Sequence, residues 1–128
     1  MKIIISTPNV NLNISKVVGV LKKLNYLDSF WTTFIFPFRL KFFQSRYYKE
    51  INYKFVKFHI FKELMKKISI IFNLKKLYSE DKNIFSEHSV SKDIDKKVAN
   101  YILKNNKINI IYSYEDCSKK SFKVAKLN

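Results

Sequence analysis

The sequence predicts an α/β fold with an incomplete, doubly wound parallel sheet, and two observations support this. Residues 3–5 are three consecutive isoleucines, and such a continuous β-branched run is typical of a strand that is covered on both faces. Strand patterns at residues 2–6, 29–37 and 107–114 are separated by helical patterns, in the order β-α-β, basic helices, α-β-α. The chain of 128 residues is long enough for one domain with a buried core.

The first predicted unit is a strand, a helix and a second strand. The polar stretch TPNVNLN after residues 2–6 is rich in turn residues, and Asn11 or Asn13 is expected to cap the helix. Asn25 suits a left-handed residue that ends this helix. The aromatic and β-branched segment SFWTTFIFP, residues 29–37, predicts the second strand. The helix carries one apolar stripe, which consists of Ile14, Val17, Val18, Leu21 and Leu24.

Residues 38–77 are both basic and aromatic. They hold 11 Lys or Arg residues against Glu50 and Glu63. Apolar spacings of three and four predict two amphipathic helices, joined near residues 52–54. Three interpretations stay open: core stripes with solvated lysines, a face that rests on anionic lipid, and nucleic-acid binding. Lipid is favoured over nucleic acid because the aromatic residues follow helical stripes. The two stripes are Leu40, Phe43, Tyr47 and Ile51, then Phe58, Phe61, Met65, Ile68 and Phe72.

The last predicted unit follows a polar loop at residues 78–88. Ser89 or Ser91 is expected to cap a helix that carries Asp93 and Asp95 in its first turns. The segment KINIIYSY, residues 107–114, predicts a third strand, and Ser118 is expected to cap a final helix. The buried side of the longer helix is expected to consist of Val90, Ile94, Val98, Tyr101 and Ile102.

Two loops follow predicted strands at the sheet edge where doubly wound sheets bind ligands. In the first loop, the amides of Asn9, Asn11 and Asn13 suit hydrogen bonds to a polyhydroxylated ligand, although turns and caps alone also favour Asn. The first loop has no glycine, so it is neither a dinucleotide fingerprint nor a P-loop.

The second loop carries Tyr114, Glu115 and Asp116, and paired carboxylates suit acid or base chemistry. Lys119 and Lys120 follow in the first helical turn. We predict them as anion-binding residues, because cations at a helix start oppose the helix dipole unless an anion binds there. A solvated turn with ordinary surface lysines is the alternative.

Composition restricts the classes of function. The formal net charge of +15 favours anionic partners. Cys117 is the single cysteine, which fits a reducing compartment and forms no recognisable catalytic triad with a histidine. His59 and His88 are not spaced as metal ligands are. The longest apolar run, residues 68–74, is far shorter than a membrane span. We therefore predict a cytoplasmic protein, peripheral at most to the inner face of a membrane.

Four stretches of the chain match the sequence pattern of one family. The most specific match is a short motif in the last stretch, YSYED followed by Phe122 and Ala125. They resemble the N-terminal, acceptor-side part of bacterial family 4 (group 1) glycosyltransferases, which have the GT-B fold. The family often has glycine in the first loop, where this chain has Val10 or its neighbours, and after the YED box, where it has Cys117. The four stretches are MKIIISTPNVN at 1–11, LKKLNYLDSFWTTFIFP at 21–37, SVSKDIDKKVANYI at 89–102 and IYSYEDCSKKSFKVAK at 111–126, with a looser match, SRYY, at 45–48.

The resemblance implies a Rossmann-like lobe of a two-lobed enzyme. Such an enzyme transfers a sugar from a nucleotide-sugar donor to a hydroxyl acceptor, on a surface glycan or a lipid carrier, and requires no cofactor or metal. Residues 1–128 would be a truncated N-terminal domain without the donor-binding C-terminal domain, and inactive alone. No catalytic residue is assigned, and the expected substrate-binding residues are Asn9, Asn11, Asn13, Tyr114, Glu115 and Asp116.

A small basic adaptor that docks on an anionic membrane through residues 38–77 is the rival interpretation, and nucleic acid is the least favoured partner. The sugar-transfer interpretation requires residues 3–5 and 108–112 to lie side by side in one sheet.

Overall fold

The computed structural model describes residues 1–33, 35, 51, 53–114 and 117–127, and these contain both strands and helices. Short 3-10 turns at Tyr53–Phe55 and Lys75–Leu77 lie between the longer elements. Within the described residues those elements are β1 (Ile3–Ser6), α1 (Leu12–Lys23), β2 (Leu27–Thr32), β3 (Val56–Phe58), α2 (Ile60–Ile71), α3 (Glu87–Leu103), β4 (Ile110–Ser113) and α4 (Lys119–Ala125).

The described strands form one sheet in the order β3-β2-β1-β4, and every neighbouring pair is parallel. Ile3 pairs with Leu27 of β2 on one side and with Ile110 of β4 on the other. Ile5 likewise pairs with Tyr112. The predicted α/β fold with a doubly wound parallel sheet is therefore confirmed, as is the predicted proximity of residues 3–5 and 108–112. The strand order reverses between β1 and β4.

Helices cover both faces of the sheet, as the three consecutive isoleucines predict. Ile5 belongs to a core cluster with Val18 of α1 and Phe30 of β2. Ile4 belongs to a second cluster with Ile94 of α3, and Val124 of α4 packs against it. Because successive strand side chains point to opposite faces, α1 lies on one face and α3 and α4 lie on the other.

The strands β2 and β3 differ from the prediction. β2 runs from Leu27 to Thr32 and not over residues 29–37. The strand β3 was not predicted, and Phe58 belongs to it and not to the following helix. The physical reason is that a three-residue strand is too short for periodicity to separate it from a helical turn. The first of the two predicted basic helices, which carries Leu40, Phe43 and Tyr47, lies outside the described residues apart from Ile51.

Caps define the ends of α1 and α3. The Asn11 Oδ1 atom accepts a hydrogen bond from the Ile14 amide at 2.9 Å, and Asn25 follows α1 with a φ of 58°. Both roles were predicted. The predicted cap of α3 is wrong, because Ser86, not Ser89 or Ser91, accepts the capping hydrogen bond from the Ser89 amide at 3.1 Å. Ser86, Ser89 and Ser91 satisfy the same local preference, and only the surrounding structure selects among them.

The start of α4 is capped by a residue from another helix. Asp95 of α3 accepts hydrogen bonds from the backbone amides of Lys120 at 2.6 Å and Ser121 at 2.8 Å. The carboxylate is 3% exposed and lies at the positive end of the α4 dipole, which favours its negative charge. Ser118 occupies the predicted N-cap position, but among the described residues its side chain makes no capping hydrogen bond. The cap therefore ties α4 to α3.

Candidate functional site

A crevice of about 330 Å³ opens at the carboxyl ends of β1 and β4. The loop after β1 leads to α1 on one face of the sheet, whereas the loop after β4 leads to α4 on the other face. Such divergence, at the point where the strand order reverses, creates the ligand crevice of doubly wound sheets. Its lining residues are Thr7, Pro8, Asn9, Asn11, Ile14, Glu87, Ser91, Tyr112 and Tyr114.

The β1–α1 loop forms one wall of this crevice and is held by its own hydrogen bonds. The Thr7 hydroxyl donates to the Asn9 carbonyl at 2.6 Å, and the Thr33 hydroxyl donates to the Pro8 carbonyl at 2.7 Å. The Oδ1 atom of Asn11 is engaged in the α1 cap, so its amide nitrogen is the group suited to donate to a ligand. The polar groups of this wall are therefore positioned before a ligand arrives.

Glu87, the first residue of α3, supplies a carboxylate to the opposite wall. Its Oε1 atom accepts a hydrogen bond from the Asn9 side-chain amide at 3.4 Å, and its Oε2 atom lies 3.7 Å from Lys66 Nζ of α2. The position at a helix N-terminus favours its negative charge. Glu87 therefore connects the first loop to two helices that lie far from it in sequence.

Two tyrosines from the end of β4 complete the crevice. Tyr112 and Tyr114 are 54% and 57% exposed. Tyr112 is in register with Ile5 and therefore lies on the α1 face of the sheet, where Ile14 also lines the crevice. A tyrosine has an apolar ring face and a polar hydroxyl, so this side of the crevice offers both kinds of contact.

The structure brings together some of the predicted site residues. Asn9, Asn11 and Tyr114 line the crevice, whereas Asn13 lies exposed in the first turn of α1 and is not among its lining residues. Glu115 and Asp116 lie outside the described residues. The predicted anion-binding residues Lys119 and Lys120 begin α4 and line a different groove.

Sequence reasoning missed Glu87, Ser91 and Tyr112 in the crevice. The misplaced cap assigned Glu87 to a polar loop, whereas a helix start at Ser86 would have made it the carboxylate of a first helical turn. Tyr112 alternates with Ile111 along β4, and this alternation alone could have indicated that the two point to opposite faces. Cys117 is fully buried and belongs to the core cluster that contains Ile94 of α3.

A second surface lies on α2, which packs through polar side chains and exposes apolar ones, the reverse of an ordinary core helix. The side of α2 that meets α3 is polar: Lys62 Nζ donates to Ser89 Oγ at 2.9 Å, and His59, which precedes α2, pairs with Asp93. We call these contacts the α2–α3 seam. The opposite side, here the α2 outer face, is apolar and exposed, and its residues are Ile60, Phe61, Leu64, Ile71 and Phe72.

Comparisons of the chain with protein-family models, with curated proteins and with solved structures found no match. Over the described part of the chain, no helix combines the length and the apolar character that crossing a bilayer requires.

Proposed function

We propose that residues 1–128 form the acceptor-side lobe of a two-lobed glycosyltransferase, and that the crevice binds a sugar acceptor. The observation that carries the proposal is the position of the crevice, at the carboxyl ends of β1 and β4 where the strand order reverses. The resemblance of four stretches of the chain to family 4 glycosyltransferases names the reaction class.

The chemistry of the lining suits a polyhydroxylated ligand. Asn9 and Asn11 supply amide donors, and the Glu87 carboxylate accepts hydrogen bonds from hydroxyl groups. The exposed rings of Tyr112 and Tyr114 offer an apolar surface to the C–H face of a pyranose. A hydroxyl acceptor would thus be oriented by charge-assisted hydrogen bonds to Glu87 and positioned by the aromatic side.

Sugar transfer also requires a donor, and in the resembled enzymes a second lobe binds most of the nucleotide sugar. In this proposal residues 1–128 bind the acceptor but do not transfer sugar by themselves. Incubation of the purified chain with a labelled nucleotide sugar and an acceptor glycoside is expected to give no labelled product. Measurable transfer by residues 1–128 alone would contradict the assignment of a single lobe.

Acceptor binding is tested by saturation-transfer NMR with a panel of methyl glycosides. Asn9→Ala removes an amide from the crevice, and Glu87→Gln removes the negative charge of an acceptor. Each is expected to weaken binding by roughly tenfold, the cost of about one hydrogen bond to a charged or polar group. Asn13→Ala is the matched control, because Asn13 is exposed on α1 and lies outside the crevice. The proposal fails if no glycoside binds, or if Asn13→Ala weakens binding as much as Asn9→Ala.

Peripheral contact with an anionic membrane is a second candidate, favoured by the α2 outer face. Phe61, Ile71 and Phe72 are 68%, 77% and 70% exposed, an apolar area that suits the lipid interface. Exposed lysines lie beside it in sequence, at Lys57, Lys75 and Lys76, and would attract anionic head groups. Of the segment first predicted to make this contact, residues 38–50 and 52 lie outside the described residues.

Co-sedimentation with vesicles tests this contact. The chain is expected to bind vesicles rich in phosphatidylserine and not vesicles of phosphatidylcholine, and the double substitution Phe61→Ser with Phe72→Ser is expected to abolish binding. Leu12→Ser with Leu103→Ser is the control, since both leucines are exposed on other helices. Equal loss of binding in both double variants would show that the α2 outer face has no special role.

A further inference from the structure

Five lysines line a groove of about 480 Å³ between α3 and α4, on the sheet face opposite α1. We call this the lysine groove. Lys92 and Lys96 come from α3, and Lys119, Lys120 and Lys123 come from α4, so both walls carry positive charge. His88 and Asp95 complete the lining.

Among the described residues, the acidic residues of α3 form no salt bridge with these lysines, although they lie close to them in sequence. Asp93 pairs with His59, and Glu87 lies beside Asn9 and Lys66. Asp95 is buried, and its two oxygens accept the backbone amides of Lys120 and Ser121. Each of the three carboxylates is therefore engaged away from the lysine ammonium groups.

Among the described residues, these lysines accordingly have no anionic partner. In the part of the chain that the structure describes, the five groove lysines form no salt bridge. Other lysines of the same region do have partners: Lys62 donates to Ser89, and Lys97 lies 3.0 Å from a ring nitrogen of His59. Among the described residues, the groove thus places five lysines that form no salt bridge between two packed helices.

The like charges within this groove repel one another. Lys92 and Lys96 are four residues apart on α3, and Lys119 and Lys123 are four residues apart on α4, so each pair shares one helix face. An anion that contacts both walls would remove this repulsion and gain charge-assisted hydrogen bonds. The start of α4 does not contribute its Lys120 and Ser121 amides, because Asp95 already accepts them.

We propose that the lysine groove binds a small ligand with a diphosphate group. A diphosphate carries enough charge and oxygen atoms to reach lysines on both walls, whereas a single phosphate has fewer groups to share between them. Lysine ammonium groups on flexible stems suit phosphate oxygens as point charges. The groove is separate from the crevice, since the two have no lining residue in common, and the proposal does not depend on sugar transfer.

Calorimetric titration with inorganic pyrophosphate, at about 0.15 M salt so that exposed charges are screened, tests the site. Pyrophosphate is expected to bind at least tenfold more tightly than orthophosphate. The triple substitution Lys92→Ala, Lys96→Ala, Lys123→Ala is expected to weaken pyrophosphate binding at least tenfold. It leaves the Lys120 and Ser121 amides in place, and circular dichroism confirms that the variant is folded.

A charge-matched control separates this site from diffuse attraction to a basic protein. Lys16→Ala, Lys23→Ala, Lys107→Ala removes the same charge from exposed positions outside the groove, and its affinity is expected to stay within twofold of the original chain. Equal weakening in both triple variants would overturn the site, as would the absence of pyrophosphate binding. Tighter binding of a single-stranded oligonucleotide in the groove, measured by displacement of pyrophosphate, would overturn the assignment of a small ligand.

Discussion

Helices α2 and α3 both have apolar residues at helical spacing, but α3 buries its apolar face whereas α2 exposes it. In α3 the apolar residues Ile94 and Val98 are 0% exposed, whereas Phe61 and Ile71 of α2 are 68% and 77% exposed. Helical periodicity therefore defines an apolar face without defining what that face contacts. Apart from Phe58, which lies in β3, the predicted stripe lies on α2 and its C-terminal end, but Phe61 and Phe72 are exposed and not in a core.

The cause lies in the neighbour that each helix meets. α3 lies against β1 and β2, where Ile4 offers a flat apolar partner. α2 meets the N-terminal half of α3, whose outer side is polar, and it does so through Lys62 and the preceding His59. A helix packed through polar contacts is held more weakly than one packed through a buried apolar stripe.

The largest effect is expected from a substitution in the buried apolar face of α3. Ile94→Ala in α3 is expected to lower the free energy of unfolding by about 3 kcal/mol, because it removes buried methyl groups and leaves a cavity. Ile71→Ala on the α2 outer face is the matched control and is expected to cost less than about 0.5 kcal/mol. Urea denaturation measures both. A comparable cost at Ile71 would mean that the α2 outer face is covered in solution.

A smaller loss is expected from the cap that ties α4 to α3. Asp95→Asn removes the charge and leaves one good acceptor for two amides, so we expect the free energy of unfolding to fall by about 2 kcal/mol. In this variant, hydrogen exchange at the backbone amides of α4 should accelerate more than exchange at those of α1. Asp81→Asn, at an exposed position, serves as the control. Unchanged exchange in α4 would show that Asp95 is not its cap.

The α2–α3 seam is expected to contribute less than either buried feature. A double-mutant cycle of His59→Ala and Asp93→Ala should give a coupling free energy of about 1 kcal/mol, as for a partly buried charged hydrogen bond. The cycle with Lys62→Ala and Asp93→Ala should give a coupling near zero, since Lys62 donates to Ser89 instead. A coupling of zero between His59 and Asp93 would show that this pair does not stabilise the α2–α3 seam.

The smallest expected effect concerns Tyr101, a partly buried titratable residue of α3. Partial burial, followed by the hydrogen bond that its hydroxyl donates to Asp28 at 3.0 Å, raises the pKa of Tyr101. A raised pKa means that folding favours the neutral phenol. The contribution of Tyr101 to the stability of the fold is therefore complete below the usual tyrosine pKa of about 10. It is lost as the pH rises through the pKa of Tyr101 in the folded protein.

Solvent screening keeps this contribution under about 1 kcal/mol. Unfolding at pH 8 and at pH 11 measures it, and Tyr101→Phe is expected to show a smaller loss of stability between the two pH values. An equal loss in the original chain and in Tyr101→Phe would contradict this. Tyr26→Phe is the control, since Tyr26 is exposed and lies outside α3.

Features that depend on neighbouring residues were predicted more reliably than those that depend on distant contacts. Asn11 and Asn25 were identified because a helix cap and a left-handed stop are local preferences. Ser86 was missed because Ser89 and Ser91 satisfy the same local rule. Glu87 was missed in the crevice because its partner Asn9 lies 78 positions away.

The amino-acid sequence by itself determined the strand at residues 3–5, the helical stripes of α1 and α3, and thereby a parallel sheet covered on both faces. These follow from side-chain periodicity and local backbone preference, which act over a few residues. Only the tertiary structure decided that α2 exposes its apolar side, that Asp95 caps α4 and that the groove lysines form no salt bridge among the described residues. Each of these depends on which distant groups come within hydrogen-bonding distance, and local preference holds no information about that.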